Sequence, residues 1–359
     1  MPSGCEYVTI ARSITKDKLK TSDTGLTRFD VNPSLRIPFT RWQFFTVNSA
    51  VSWRGTYWTE SLLDDQSTQV PVGIGRRFFD FTTRITGPVF NRIWNTPNNG
   101  YAEKFKHVIE PSLSITRVTA IDNFKRIVKL DGVDNYIGTT RFNYGLSNRL
   151  YAKKESSREI LSASISQSYY TDANAAQYDQ QLASGYATGA PTHFNPVVLQ
   201  IRAAPTDKVQ GDFRTDWDPT KHTLRTLSAN GGLNFASVQA TAGWSQTRYI
   251  PGLRNFDVKA NARNYLTAST SVRRPGNRIG GSYSFSYDLK NDAFLSQRLT
   301  AYYNAQCCGV GIEYQTYNLA GSFSSFGVPQ DHRFNLSFTL AGVGTFSNLF
   351  GAFGGQQGR

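Results

Sequence analysis

Two of the three cysteines in the 359-residue chain stand side by side, in the stretch NAQCCGVGIEY from Asn304 to Tyr314. Vicinal thiols suit disulfide chemistry, but not with each other. Neighbouring Cα atoms lie about 3.8 Å apart, whereas a relaxed disulfide needs roughly 4.4 to 6.8 Å. Cys307 and Cys308, if oxidised, take partners elsewhere, and the third cysteine is Cys5. Either the pair stays reduced, or the cysteines that complete it belong to a part of the protein that is absent.

Other reactive groups do not converge. His107, His193, His222 and His332 are isolated, and no His, Cys and carboxylate spacing suits a metal. His107 and Glu110, in KHVIEPSLSI, would make an acid/base pair if they met. Three apart on a strand, they point to opposite faces. The glycine-rich pieces VGIGRR and LAGVGTF lie in or beside strand-like segments with no helix after them, so a phosphate loop fails its context test. The sequence nominates no catalytic residue, metal ligand or cofactor, and the chain is not expected to be an enzyme.

The elements that carry these residues show first in the composition. The chain has 24 Phe, 18 Tyr and 6 Trp but one Met, and Ser, Thr, Asn and Gly fill the spaces between the aromatics. With a mean hydropathy of −0.41, this mixture favours β-structure with one apolar and one polar face. The net charge of +13 calls for an anionic partner or surface. Its basic residues are scattered and accompany no recognition helix, zinc spacing or aromatic RNA-binding motif, which argues against nucleic acid. No apolar run is long enough for a spanning helix, and MPSGCEYVTIARSITKDKLK lacks the organisation of a signal peptide.

Period-two alternation dominates. In SYSFSYDL, Tyr283, Phe285, Tyr287 and Leu289 fall on one face, and in RFNLSFTL, Phe334, Leu336, Phe338 and Leu340 oppose Arg333 and Asn335. About sixteen candidate strands begin near residues 6, 26, 43, 76, 105, 139, 158, 195, 208, 222, 235, 263, 278, 295, 310 and 332. Most are long enough to cross a bilayer at a tilt. Alternate connections at 15–25, 57–75, 118–138, 171–194, 218–221, 249–262, 290–294 and 318–331 are mostly long, while those between them at 37–42, 151–157, 205–207, 231–234, 274–277 and 306–309 are short. The segment 87–104 breaks this sorting. The expected fold is an all-β transmembrane antiparallel barrel with long extracellular loops and short periplasmic turns. Pro111 and Pro205 then suit bulges or ends. The hairpin at 306–309, with Gly309 and Gly311, places Cys307 and Cys308 within reach of periplasmic oxidants.

The segments AEKFKHVIEPSLSITRV, TRFNYGLSNRLYAKK, NAQCCGVGIEYQTYN and DHRFNLSFTLAGVGTFSNL, in this order between residues 75 and 349, resemble the C-terminal part of the LptD family. That resemblance implies a lipopolysaccharide-inserting protein of the Gram-negative outer membrane, with a barrel of about 26 strands. It further implies a periplasmic jellyroll before the barrel, a periplasmic bridge that delivers lipopolysaccharide, and an LptE-like plug lipoprotein in the lumen. Residues 1–359 would form the C-terminal portion of the barrel, without jellyroll or signal peptide. Cys307 and Cys308 would be half-cystines bonded to cysteines of the N-terminal region, for which Cys5, at the start of a barrel strand, is a poor match.

The last strand, with Arg333, Phe334, Leu336, Phe338 and Leu340, would form one side of a lateral gate for the lipid. Arg141, Arg149, Arg263 and Arg273, on or beside strands, become candidate contacts for lipopolysaccharide phosphates. The rival reading is a general or substrate-specific porin, for which sixteen strands is also a suitable number.

Overall fold

The computed structural model describes residues 9–15, 24–42, 44–178, 191–276, 278–318, 331–340 and 344–346. Cys5 and the end of the chain from 347 lie outside the described residues. Among the described residues, no helix is long and apolar enough to cross a membrane. The alternating segments form strands instead.

The first are β1 (Thr9–Thr15), β2 (Thr24–Val31), β3 (Ser34–Phe39), β4 (Thr46–Trp58), β5 (Ser61–Leu62), β6 (Gln69–Val70) and β7 (Ile74–Thr86). Then come β8 (Phe90–Asn95), β9 (Lys104–Val118), β10 (Thr139–Lys153), β11 (Ser157–Tyr170), β12 (Val197–Thr206), β13 (Val209–Asp218) and β14 (Thr223–Asn234). The remainder are β15 (Val238–Thr247), β16 (Arg263–Arg273), β17 (Ile279–Asp288), β18 (Ala293–Asn304), β19 (Cys308–Tyr317), β20 (Asp331–Leu340) and β21 (Gly344–Phe346).

All but β5 and β6 belong to one antiparallel meander. Two of its crossings are interrupted. β2 and β3 both lie along β4, paired at Arg28↔Trp58 and Leu35↔Val51, with Pro33 between them. β7 and β8 both lie along β9, paired at Thr86↔Ser112 and Phe90↔Ile109, with a cis Gly87–Pro88 bond between them. Counted as single crossings, these give sixteen from β1 to β20, the number expected.

Residues 87–104 are therefore not a long connection. Residues 90–95 continue the preceding crossing, and the true turn is 96–103. Gly87, at φ 110°, and Pro88 break the alternation by which a strand is recognised. Pro111, in β9, lies opposite that interruption, where its C=O accepts from Gly87 N at 2.8 Å and its missing N–H leaves no gap in a ladder. Pro205 sits in the irregular step between Ala203 and Thr206.

With this correction the sorting of connections is uniform on one side. The turns 40–45, 96–103, 154–156, 207–208, 235–237, 274–278 and 305–307 are all short. The opposite side holds 16–23, 59–73, 119–138, 171–196, 248–262 and 318–330, together with two tight hairpins, 219–222 and 289–292. Those two share one device: Asp218 Oδ1 accepts from the N–H groups of Thr220 and Lys221, and Asp288 Oδ1 from those of Lys290 and Asn291.

Partnered residues in the ladders share a face, so alternation along each strand becomes two continuous surfaces. One runs through Phe81, Leu113, Ile165, Phe285, Leu299 and Phe334, and its large side chains are exposed or half-buried, with no protein layer on them among the described residues. The other carries Ser, Thr, Asn and Arg, as in Ser114, Asn143, Ser164 and Thr300.

Candidate functional site: a basic groove on the polar face

Along β7, β9 and β10 the even or odd phase that leaves the apolar face brings charge together on the polar one. Arg84 aligns with Ser114, and Ser114 with Asn143, while Thr116 aligns with Arg141 and Val108 with Arg149. Arg84, Arg141 and Arg149 line one cavity of about 730 Å3, with the carboxylates of Asp80 and Glu110 and the polar groups of Ser114 and Asn143. Three guanidiniums against two carboxylates, in a wall of hydroxyls and amides, can hold phosphate and polyol groups through charge-assisted hydrogen bonds.

The connection 119–138 roofs this cavity through Asn135, Tyr136 and Ile137. Its anchor is the polar face of β2, β4 and β7. Ile127, fully buried, packs with Leu26, Trp58 and Ile74. Arg28 Nη1 donates to both carboxylate oxygens of Asp134 at 3.0 and 2.9 Å, and its Nη2 donates to Asp131 at 2.7 Å. Arg76 Nη1 reaches the Asp134 carbonyl at 3.3 Å while its guanidinium lies over the Trp58 ring, 5.0 Å from the centroid. Burial pushes the Lys129 ammonium below its ordinary pKa, and Phe124 holds it at 4.3 Å from the ring centroid.

Of the arginines proposed from sequence, Arg141 and Arg149 both line this groove, eight residues apart along β10. Arg263 and Arg273 stand at opposite ends of β16, ten residues apart and away from it. Arg84 was missed, though its place in the alternation of RRFFDFTTRIT was readable. The clamp on Asp134 was also missed; the apolar Phe124 and Ile127 inside a polar loop were its one local signal.

His107 and Glu110 lie on opposite faces as expected. His107 stacks on Trp94 and its Nε2 lies 2.7 Å from Asn148 Oδ1, whereas Glu110 lines the groove.

At the other end of the sheet, Phe334, Leu336, Phe338 and Leu340 point to the apolar face, paired with Tyr314, Ile312, Val310 and Cys308. Arg333 takes the polar face, where its Nε donates to Asp331 at 2.6 Å. Beyond β20 the ladder continues only through Phe338–Leu340 with β21, and among the described residues no pairing joins β20 or β21 to β1.

Cys307 occupies the turn, and Cys308 is already the first ladder residue of β19. Both thiols are exposed, with Sγ atoms 3.4 Å apart. Gly309 and Gly311 are ladder residues rather than turn residues. A Cβ on Gly309 would meet Asn304 Oδ1 at 2.5 Å, and one on Gly311 would meet Ser337 Oγ at 2.7 Å.

Long strands in a single antiparallel meander, an apolar face without a protein cover among the described residues, a polar charged face and connections sorted by length define the wall of an outer-membrane β-barrel. The chain belongs to the LptD family, described as LPS transport system D, whose profile matches residues 6–261. That family transports lipopolysaccharide in the Gram-negative outer membrane, and it is a transport family rather than an enzyme family. The match begins earlier than the sequence resemblance and ends before Cys307, Cys308 and β20.

No curated protein matches the chain. Among solved structures, it is similar to a mutant of Rh. blastica porin at 11% identity, covering 94% of this chain and 96% of that one, with a TM-score of 0.30. It is also similar to the FrpB iron transporter from Neisseria meningitidis, at 10% identity and TM-score 0.38, covering 93% and 61% of the two chains. The siderophore receptor PirA from Acinetobacter baumannii shows 9% identity and TM-score 0.35, with 91% and 58% covered. The chain thus spans about three fifths of the last two proteins. At such TM-scores the likeness supports no functional assignment.

Proposed function

We propose that this chain forms the C-terminal portion of the barrel of a lipopolysaccharide translocon, in which sugars pass along the polar face and lipid leaves sideways past β20. The observation that carries this reading is the cavity lined by Arg84, Arg141 and Arg149. Lipid A and core phosphates are held there by several salt-screened contacts, each weak enough to release the substrate. Asp331–Ser337 of β20, unpaired on the side away from β19 among the described residues, is one side of the lateral opening, and the apolar side chains of Phe334, Leu336, Phe338 and Leu340 along the strand meet the acyl chains. Backbone groups left unpaired in lipid cost several kcal/mol each, so such an edge needs a partner strand from the remainder of a larger barrel. The short turns face the periplasm. A plug lipoprotein fills the lumen, and a periplasmic bridge delivers lipopolysaccharide through an N-terminal domain. Cys307 and Cys308 are the barrel-side half-cystines that hold that domain in place. Transport is driven from upstream and involves no covalent step.

A photocrosslinking amino acid at Asn143, in the groove, and another at Leu336, on the edge, test this reading in cells that depend on the complete protein. Lipopolysaccharide adducts at both positions are expected. Their absence at Asn143, with ion conductance through the purified barrel, would instead establish a porin.

A further inference from the structure

The lipid-facing surface carries a groove well away from β20. Across β13 to β17 the ladders align Val209, Leu233, Ala240, Thr270 and Tyr283 in one row. The next row is Gly211, Gly231, Ala242, Ala268 and Phe285. Gly231, Ala240, Ala242 and Ala268 form a low floor, while Val209 and Leu233 on one side and Tyr283 and Phe285 on the other rise as walls. The space between the walls is about 470 Å3, and its lining is mostly apolar, with Gln210, Thr241, Ser269 and Thr270 among it.

The groove has a charged end. Towards the short turns the outward phase continues through Val272 to Arg274, and Arg278 lies in the same turn. On the opposite wall Lys208 immediately precedes Val209, its Nζ 5.8 Å from the Phe235 ring centroid. Lys208, Arg274 and Arg278 are exposed and form no ion pair among the described residues. The carboxylate next to Lys208, that of Asp207, is taken by Arg158 at 2.6 Å. The short turns as a set lean basic, with Arg41, Lys154, Lys208, Arg274 and Arg278 against Glu103, Glu155 and Asp207.

The length of the groove fits one ligand class. Ala268 lies six residues from Arg274, about 20 Å along a strand. A strand tilt of about 40° reduces that to about 15 Å of depth, half of a hydrocarbon core about 30 Å thick. An apolar channel one leaflet deep, with cations where the headgroups begin, is complementary to an anionic lipid.

We propose that this groove binds an anionic glycerophospholipid of the leaflet on the short-turn side. One acyl chain lies over Ala240, Ala242 and Ala268, and the phosphate sits between Lys208 and Arg274. This assignment rests on the outer-membrane location and is independent of the lipopolysaccharide path.

The test uses the whole chain folded in detergent, with dioleoylphosphatidylglycerol, dioleoylphosphatidylcholine or lipopolysaccharide added, and reads retained lipid by native mass spectrometry. Phosphatidylglycerol should be retained over phosphatidylcholine by about tenfold or more, as two basic groups at an anionic headgroup supply. The variant K208Q/R274Q should lose most of that preference and K208R/R274K should keep it. A242L/A268L, which fills the floor, should lower retention of both phospholipids. Heat-modifiable gel mobility selects the folded fraction of each variant. Equal retention of the two phospholipids by the unmodified chain, a preference that survives K208Q/R274Q, or retention of lipopolysaccharide alone would each overturn the assignment.

Discussion

The carboxylate of Asp134, in the connection between β9 and β10, closes on the guanidinium of Arg28 in β2 at 3.0 and 2.9 Å, joining residues 106 apart in sequence. Both side chains are almost wholly buried, at 3% and 0% exposure. The same carboxylate accepts from the N–H groups of Leu130 and Asp131 at 2.8 and 3.1 Å. One acidic residue thus shapes its own loop and fixes it to the barrel wall.

Asp134→Ala should release this loop. Removing one partner of a buried pair costs about 3 to 5 kcal/mol, and the remaining contact of Arg28 with Asp131 at 2.7 Å places the loss near the lower end. Limited trypsin digestion should cut at Lys125, Arg126 and Lys129 in the variant, at enzyme levels that leave the unmodified chain intact. Equal protection in both would show that the apolar contacts of Ile127 hold the loop unaided.

The neck of the loop is tight. A Cβ at Gly138 would lie 2.7 Å from Ala120 Cα and 2.8 Å from the Thr119 carbonyl oxygen, and backbone cannot rotate away as a side chain can. Gly138→Ala should destabilise the docked loop by about 1 to 3 kcal/mol. Gly100→Ala, with nothing within 4 Å of the added atom, should leave the melting temperature unchanged.

Charge in the groove should govern affinity for phosphorylated saccharide. Arg84, Arg141 and Arg149 changed together to Gln should weaken binding of lipopolysaccharide to the detergent-solubilised chain by about tenfold or more at low ionic strength. Added salt should narrow the difference, because partly solvated pairs are screened over about 8 to 10 Å. The same change at Arg263 and Arg273, outside the cavity, should have a smaller effect.

The thiols give a direct reading of the periplasmic assignment. In the complete protein expressed in an oxidising periplasm, non-reducing gels should show a mobility shift that disappears only when both Cys307 and Cys308 become Ser. The Sγ atoms of the pair are exposed, so maleimide should label both after reduction. Labelling of both without any reductant would remove the half-cystine assignment.

The connection 59–73 contains a turn with a defined pH dependence. A hydrogen bond from the Thr68 hydroxyl, with further ones from the N–H groups of Thr68 and Ser67, holds the Asp65 carboxyl well below the usual carboxylate range. Because the folded pKa is depressed, the stabilisation is fully present above the unfolded value of about 3.9 and is lost as pH falls through the folded one. Hydrogen exchange, corrected for its intrinsic pH dependence, should therefore show the Ser67 and Thr68 amides still protected at about pH 4, with protection lost in stronger acid. Asp65→Asn should lose most of the protection at every pH.

The class of this protein was legible in its sequence because alternation and connection length are local properties. SYSFSYDL and RFNLSFTL declare two faces without reference to any neighbour, and the sorting of long and short connections needs no coordinates. The interruption at Gly87 and Pro88 hid β8 for the same reason, since a strand broken in its own sequence is restored only by its pairing with β9. Arg84, Arg141 and Arg149 are anonymous in the chain and become a site because the registers of β7, β9 and β10 set them on one wall. Arg28 and Asp134 meet across three intervening crossings, and Cys308 meets Leu340 only when β20 folds against β19. Periodicity fixes which face a residue takes; register and long-range packing fix which residues share it.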